Sequence, residues 1–307
     1  MVSLIGRAIL LAQLLFSLSL AAWLMSRSGY SAQLALAWGL AAGASLHIVI
    51  VLIEFALASY AGSAKPLNDE LSLLGWAQCI GGEIAASFMT FSVRQPFFGA
   101  TPLASAAPDS TRTPIVFIHG FFCNRAIWRP AARWLAARGH PIGSVNLEPV
   151  YGSIDHYPQL IDRAVRELQM RCGQRPVALV CHSMGGIAAR AYLRDLGSAA
   201  IARVITLGTP HQGTFLAQFS HAKNARQMRL QSPWRDALAA SESPELRALF
   251  AVIISHHDNI AMPQAIQTIE GAKLITTSGK GHVRLAVDAE VWQMIADELD
   301  QPTISAG

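Results

Sequence analysis

The chain begins with two long apolar runs that show neither the alternation of a strand nor the single stripe of a half-buried helix. Leu4 to Met25 is broken only by Arg7, Gln13 and a few serines, and Leu34 to Tyr60 follows after the short stretch Ser26 to Gln33. Each run exceeds the roughly 20 residues that cross a bilayer as a helix. The pattern predicts a transmembrane helical hairpin over 1–62, with Trp23, Tyr30, Trp38 and Tyr60 near the helix ends, as an interfacial aromatic belt would place them. A cleaved signal peptide is the competing reading of the first run. Its apolar core is long for that purpose, no clear Ala-x-Ala site closes it, and a second spanning run follows. A short loop makes the two helices antiparallel neighbours, and Gly39 and Gly43 form a small-x-x-x-small face for the first helix. His47 and Glu54 stand one heptad apart on that second helix, either as functional polar groups or as bonds across the hairpin.

The pattern changes at about residue 63. Leu67 to Phe98 mixes Leu, Trp76, Phe88 and Phe91 with Asp69, Glu70, Glu83 and Arg94, which predicts an amphipathic helix lying on a bilayer or docked on the rest of the protein. Gly99 to Pro114, with its alanines, serines and prolines, reads as a linker, so 63–112 is a juxtamembrane segment. From 113 to 307 short apolar runs alternate with helical periodicity. Strands are predicted at Ile115 to Ile118, near Ile142 to Leu147, at Pro176 to Cys181, at Phe250 to Ile254 and at Lys273 to Thr276. Helices are predicted around Ile127 to Arg138, from Tyr157 to Met170 and from about Met184. Alternation of this kind gives a mostly parallel sheet with helices on both faces. The 214–249 segment, with Phe215, Phe219, Met228, Trp234 and Leu238 among charges, is expected to cover a substrate pocket as a lid or to pack as a cap.

The candidate chemistry starts where one apolar run stops abruptly, at Leu179-Val180-Cys181-His182-Ser183-Met184-Gly185-Gly186. A strand that turns sharply at Ser183 into a helix lifts the hydroxyl to the carboxyl edge of the sheet, where the amide of Met184 can bind an oxyanion. Small residues must flank such a turn. Gly185 meets that need, and Cys181, a small and often buried residue, stands where the usual pattern has glycine. The simpler reading of the serine is a helix cap.

The acid and base of this arrangement should follow the serine, each on a loop after a strand. Phe250 to Ile254 empties into Ser255-His256-His257-Asp258-Asn259, which makes Asp258 the acid. Lys273 to Thr276 leads to Ser278-Gly279-Lys280-Gly281-His282, which makes His282 the base. The aspartate would fix the tautomer of the histidine and stabilise its charged form. His182 adjoins the serine and should leave the turn in another direction. His211 precedes the acid, His256 and His257 are too near Asp258 to be presented independently, and Asp155 and Asp236 lack a preceding strand.

The strand ending in His119-Gly120-Phe121-Phe122, the serine turn, and Val204-Ile205-Thr206-Leu207-Gly208-Thr209-Pro210-His211-Gln212-Gly213 together resemble the α/β-hydrolase superfamily, in its bacterial lipase and esterase branch. The resemblance implies an α/β-hydrolase fold of the compact, minimal lipase kind. It also implies that the amide of Phe121 joins that of Met184 in an oxyanion hole. The expected activity is a membrane-anchored serine hydrolase that cleaves carboxylic esters of acyl lipids through an acyl-enzyme. Thioesterases, amidases and acyltransferases share the triad. A non-catalytic scaffold of the same fold has no need of all three residues, and a transport role for His47 and Glu54 would need more helices than two.

Composition adjusts this picture in a few places. Only 14% of residues are charged, against about 25% in ordinary soluble domains, and the deficit sits in the two amino-terminal runs. Cys79, Cys123, Cys172 and Cys181 form no disulfide framework, which leans towards a reducing compartment. No metal-ligand spacing and no cofactor motif is visible. A net charge of +4 suits an anionic membrane surface, without the basic, aromatic-interleaved stripe of a nucleic-acid binder. Arg7 and Lys65 on one side of the hairpin against Arg27 on the other favour both termini, and so the hydrolase part, in the cytoplasm; the resemblance to bacterial lipases implies a bacterial inner membrane.

Overall fold

The computed structural model describes residues 1–301; the carboxyl end of the expected 113–307 unit lies outside the described residues. Helices α1 (Val2–Ser28) and α2 (Ala32–Ala61) form the antiparallel hairpin, and both are long and apolar enough to cross a bilayer. The connection is tighter than the expected Ser26 to Gln33. Helix α1 runs on to Ser28 and is closed by Gly29 at φ 66°, the left-handed cap that glycine adopts without strain. Gly39 and Gly43 are where the helices touch, since a Cβ on either would run into Ser17.

The expected amphipathic helix is shorter at its start and irregular at its end. It comprises α3 (Leu73–Phe88), a π-helical stretch at Met89–Arg94 and α4 (Gln95–Phe98). It docks on both neighbours rather than lying free. Cys79 is buried against Val51 and Phe55 of α2, and Glu83 is buried against residues 281–284.

Beyond the coil at 99–114 come β1 (Ile115–Ile118), α5 (Arg129–Ala136), β2 (Ile142–Val145), α6 (Pro158–Arg171), β3 (Val177–His182), α7 (Met184–Leu196) and β4 (Ile201–Leu207). The chain continues through α8 (Lys223–Gln227), α9 (Pro233–Ala240), α10 (Pro244–Ala248), β5 (Phe250–Ser255), β6 (Lys273–Thr277), α11 (His282–Val287) and α12 (Ala289–Leu299). Among the described residues the six strands form one parallel sheet in the order β2-β1-β3-β4-β5-β6. Because side chains alternate across a strand, Val116, Ile118, Leu179 and Cys181 enter the core beneath α6 and α7. Ile115, Phe117, Ala178 and Val180 enter the opposite core, which includes residues of α5, α11 and α12. Cys181 thus fills the place of the usual glycine as a fully buried packing residue. All four cysteines are buried and unpaired.

The 214–249 segment packs as a cap. Met228 and Leu238 join the core on the α7 side, while Phe215 and Phe219 contact each other and Phe215 meets Tyr60 near the end of α2. Arg190 of α7 anchors this cap. Its guanidinium holds both oxygens of Glu242 at 2.5 and 3.0 Å and donates to the carbonyl of His211, and both charged side chains are almost wholly buried. Breaking such a pair strands a charge in the interior. Arg190→Met is expected to lower the unfolding free energy by about 3–5 kcal/mol, read as a fall in the denaturant midpoint of the detergent-solubilised protein. Arg190→Met/Glu242→Leu should recover most of the loss.

Candidate active site

Strand β3 ends at His182, and Ser183 joins it to α7 with φ 56° and ψ −130°, backbone angles that an L-residue adopts only under constraint. The constraint is the crowding around the turn. A Cβ on Gly185 would lie 2.6 Å from the carbonyl oxygen of Ile118 and 2.8 Å from that of His119. One on Gly120 would lie 2.7 Å from the Cβ of Ser183. The loop after β1 therefore passes directly over the serine, and only glycine lets the two backbones approach so closely. His119 holds that loop. Its Nδ1–H donates to the carbonyl of Gly120 at 2.9 Å, and its Nε2 accepts the amide of Leu147 at 3.0 Å. Burial pushes its pKa down to about 4, so the ring is neutral, as that pair of bonds requires. Phe121 follows Gly120 in this loop, and Met184 opens α7, where amides lack intrahelical acceptors.

Asp258 and His282 come from the loops after β5 and β6 and meet directly. The Nδ1–H of His282 donates to Oδ2 of Asp258 at 2.8 Å, with Oδ1 at 3.0 Å. Oδ1 of Asp258 also accepts the amides of Ile260 and Ala261 at 2.7 and 2.8 Å. Both residues and Ser183 are buried. Burial alone would raise the carboxyl pKa, but the His282 charge, its hydrogen bond and the two amides hold Asp258 below the usual carboxylate range. Burial would lower that of His282, and the neighbouring Asp258, with Glu83 beyond it, keeps it above the ordinary 6.5. The backbone of His282 is fixed at both ends: its amide donates to Oδ1 of Asn259 at 2.8 Å, and its carbonyl accepts from Nε2 of His182 at 2.9 Å.

The residue beside Ser183 therefore braces the histidine, and the two imidazoles lie 4.6 Å apart. Among the described residues no hydrogen bond joins Ser183 Oγ to a histidine ring. With Nδ1–H committed to Asp258, Nε2 is the remaining basic nitrogen of His282. In free enzymes such serine–histidine contacts are often long and tighten around substrate.

Several supporting residues escape a reading of the sequence. Gly208, at φ 53°, lies under the aspartate and histidine, and a Cβ there would come within 2.7 Å of Oδ2 of Asp258 and 3.2 Å of Nδ1 of His282. Glu83, fully buried, accepts the amides of Val283 and Arg284 at 2.9 Å each and sits against Gly281. Burial raises its pKa, and the two amide bonds oppose that shift. Glu54 accepts from Nδ2 of Asn259 at 2.8 Å. The signals for these were a lone acid on an apolar helix and a glycine in the phrase after β4. The set-aside residues have other partners: His211 meets Thr206, His256 pairs with Asp69, and Asp155 bonds Ser153, Arg194, Gln227 and Trp234. Among the described residues no three ligating side chains gather as a metal site.

A similar architecture recurs in known proteins. Residues 151–297, a stretch that contains Ser183, Asp258 and His282, match the PGAP1-like alpha/beta domain. A triacylglycerol lipase of Burkholderia plantarii is 30% identical over 131 residues, covering 39% of this chain and 36% of that protein, so the chain matches about a third of that relative's length. Among solved structures, the mature lipase BlEst2 of Bacillus licheniformis superposes with a TM-score of 0.56 at 18% identity, over 64% of this chain and 95% of that one. Lipase B of Aspergillus fumigatus does so at 0.56 and 13% identity, over 65% and 55%. With its parallel sheet and the turn at Ser183, the chain has the α/β-hydrolase fold and resembles lipases and esterases that share it.

Proposed function

We propose that the protein is a membrane-anchored serine hydrolase that cleaves the carboxylic esters of acyl lipids, with Ser183 as nucleophile, His282 as base and Asp258 as its orienting acid. The observation that carries this reading is the bonded Asp258–His282 pair braced through His182 beside a serine held at φ 56° on a helix amino terminus. Ser183 Oγ attacks the acyl carbonyl and gives its proton to Nε2 of His282. The amides of Phe121 and Met184 hold the tetrahedral oxyanion. The alcohol leaves with that proton, and water, deprotonated by His282, then releases the acid and restores the serine. The two apolar helices, 27 and 30 residues long, would span about 40 and 45 Å, more than the roughly 30 Å of hydrocarbon in a bilayer. Ser63 bonds Gln264 and Glu54 bonds Asn259, while Arg7 of α1 bonds Pro96, so the residue-2 and residue-61 ends of the hairpin face the sheet. That supports one membrane side for both ends, and Arg7 with Lys65 favours the cytoplasm.

The test is hydrolysis of short- and long-chain p-nitrophenyl esters by the solubilised protein, together with stoichiometric labelling by a fluorophosphonate and mapping of the label to one serine. Label on Ser183 with ester turnover is the expected result; a folded protein that neither turns over nor takes the label overturns the reading. The pH profile adds a sign. The base works when neutral and Asp258 raises its pKa, so kcat/KM is expected to fall on acidification with a midpoint above 6.5. A midpoint below that value would mean the Asp258 contact does not act on the working base.

A further inference from the structure

A cavity of about 300 Å³ lies between the hairpin and the helix that follows it, beside the site and outside the sheet. Helix α1 contributes Gly6, Leu10 and Gln13 to it, and α2 contributes His47, Ile50 and Glu54, in each case at the three- and four-residue spacing of a single helix face. Phe91 and Ser92 enter from the π-helical stretch, a widening of the helix that recurs at functional sites. Along α1 the lining runs from Val2 to Gln13, about 16 Å at 1.5 Å per residue. Ile9 and Ile50 on its margin are 45% and 48% exposed, so the cavity opens sideways on the hairpin surface, where a bilayer would lie.

Two buried polar atoms in this lining lack a partner. Gln95 is 2% exposed and its Oε1 accepts the amide of Asn124 at 2.6 Å, but its Nε2 has no hydrogen bond, and neither has Nε2 of His47. Buried polar groups are nearly always bonded, so a wall with a free amide donor and a free imidazole nitrogen suits a ligand that brings ester and hydroxyl oxygens. None of Ser183, Asp258 and His282 lines the cavity, which reaches the surroundings of the candidate site through Phe122 and Glu54. Phe122 ends the loop that passes over Ser183. Glu54 is bonded to Asn259, which in turn holds the amide of His282.

We infer that this cavity takes the substrate: a membrane lipid ester enters sideways between α1 and α2, lays its acyl chain along Leu10, Ile50 and Phe91, and turns its oxygens to Gln95 and His47 on the way to Ser183. The inference rests on the serine-hydrolase reading and narrows the substrate to a lipid drawn from within the bilayer. The hairpin is then a wall of the binding site as well as an anchor.

The direct test uses the full chain as Ser183→Ala in nanodiscs of phosphatidylcholine and phosphatidylglycerol, doped with phosphatidylglycerol bearing a diazirine on its acyl chain. After irradiation, crosslinked peptides are mapped by mass spectrometry. Label concentrated at residues 2–13, 47–54 and 87–95 is expected. Label spread evenly over the lipid-facing stretches, Leu14 to Leu18 and Leu34 to Leu40 included, overturns the inference. In the otherwise unaltered protein, Ile50→Trp should lower the ratio of hexadecanoyl to acetyl p-nitrophenyl ester turnover by roughly tenfold, the scale on which apolar pockets discriminate chain size. An unchanged ratio overturns it. If the unaltered protein neither hydrolyses an ester nor takes the fluorophosphonate, the serine reading falls and this inference with it; even diazirine labelling in a protein that does either removes the cavity assignment alone.

Discussion

Ser183→Ala is expected to reduce ester turnover by about a millionfold in kcat, to the level that binding and the oxyanion amides alone sustain. The size follows from the proposed division of labour: Oγ would supply the bond-forming electrons, and among the described residues no other hydroxyl stands on the strained turn where the Gly120 loop and the α7 amino terminus converge. The variant should remain folded, because the turn is imposed by the contacts of Gly120 and Gly185 with their neighbours rather than by the hydroxyl. Ser183→Gly makes the point from the other side. Glycine adopts the φ and ψ of residue 183 freely, so relief of strain, of order 1–3 kcal/mol, should offset the greater entropy of a glycine in the unfolded chain. An inactive protein at least as stable as the parent, by denaturant midpoint, is the expected pattern. Residual turnover within tenfold of the parent in either variant would transfer the nucleophile elsewhere.

Asp258→Asn is expected to lower kcat by about ten-thousandfold while leaving the fold intact. The direction of the asparagine is set by contacts already present. Oδ1 of Asp258 accepts the amides of Ile260 and Ala261, and the carbonyl oxygen of an asparagine would keep both. Its amino group then takes the place of Oδ2, which faces Nδ1 of His282 at 2.8 Å. Donor then faces donor at the shorter contact, and Nδ1–H keeps only Oδ1 at 3.0 Å, already shared with two amides, which favours the tautomer with the proton on Nε2, the nitrogen that should receive the proton of the serine. The rate of fluorophosphonate labelling should fall along with ester turnover, since both need the same proton transfer. A loss of tenfold or less would mean that the contact positions the ring and does little else.

Much of the α/β part was legible because its signals are local. Ile115 to Ile118 and Phe250 to Ile254 read as buried strands because parallel strands covered on both faces are continuous apolar runs. The serine turn was visible despite Cys181, since packing there requires only a small side chain. Asp258 and His282 could be assigned by order because each stands on the loop after a strand, and the structure brings those two loops together. What remained hidden joins residues remote in sequence. Glu83 reads as one acid on an amphipathic helix until residues 283 and 284, two hundred positions later, donate their amides to it. The same holds for Glu54 with Asn259, and for the cavity, whose walls come from 2–13, 47–54 and 87–95. The irregular end of the helix at Met89–Arg94 had no signature in hydrophobic periodicity, which shifts little over so few residues.

Among the described residues the carboxylate of Glu83 is the only acceptor for the two amides that open the helix of His282, and Glu54 steadies the asparagine next to Asp258. Both acids belong to the part of the chain that precedes the sheet. In the proposed site, the loops that would carry the base and the acid are thus stapled from outside the sheet and its helices, and a fragment cut free at residue 113 is expected to lose both staples. On the proposed membrane reading, insertion of the hairpin and competence of the site become one event, so a chain that has not yet reached its setting would hold its own reactivity in check.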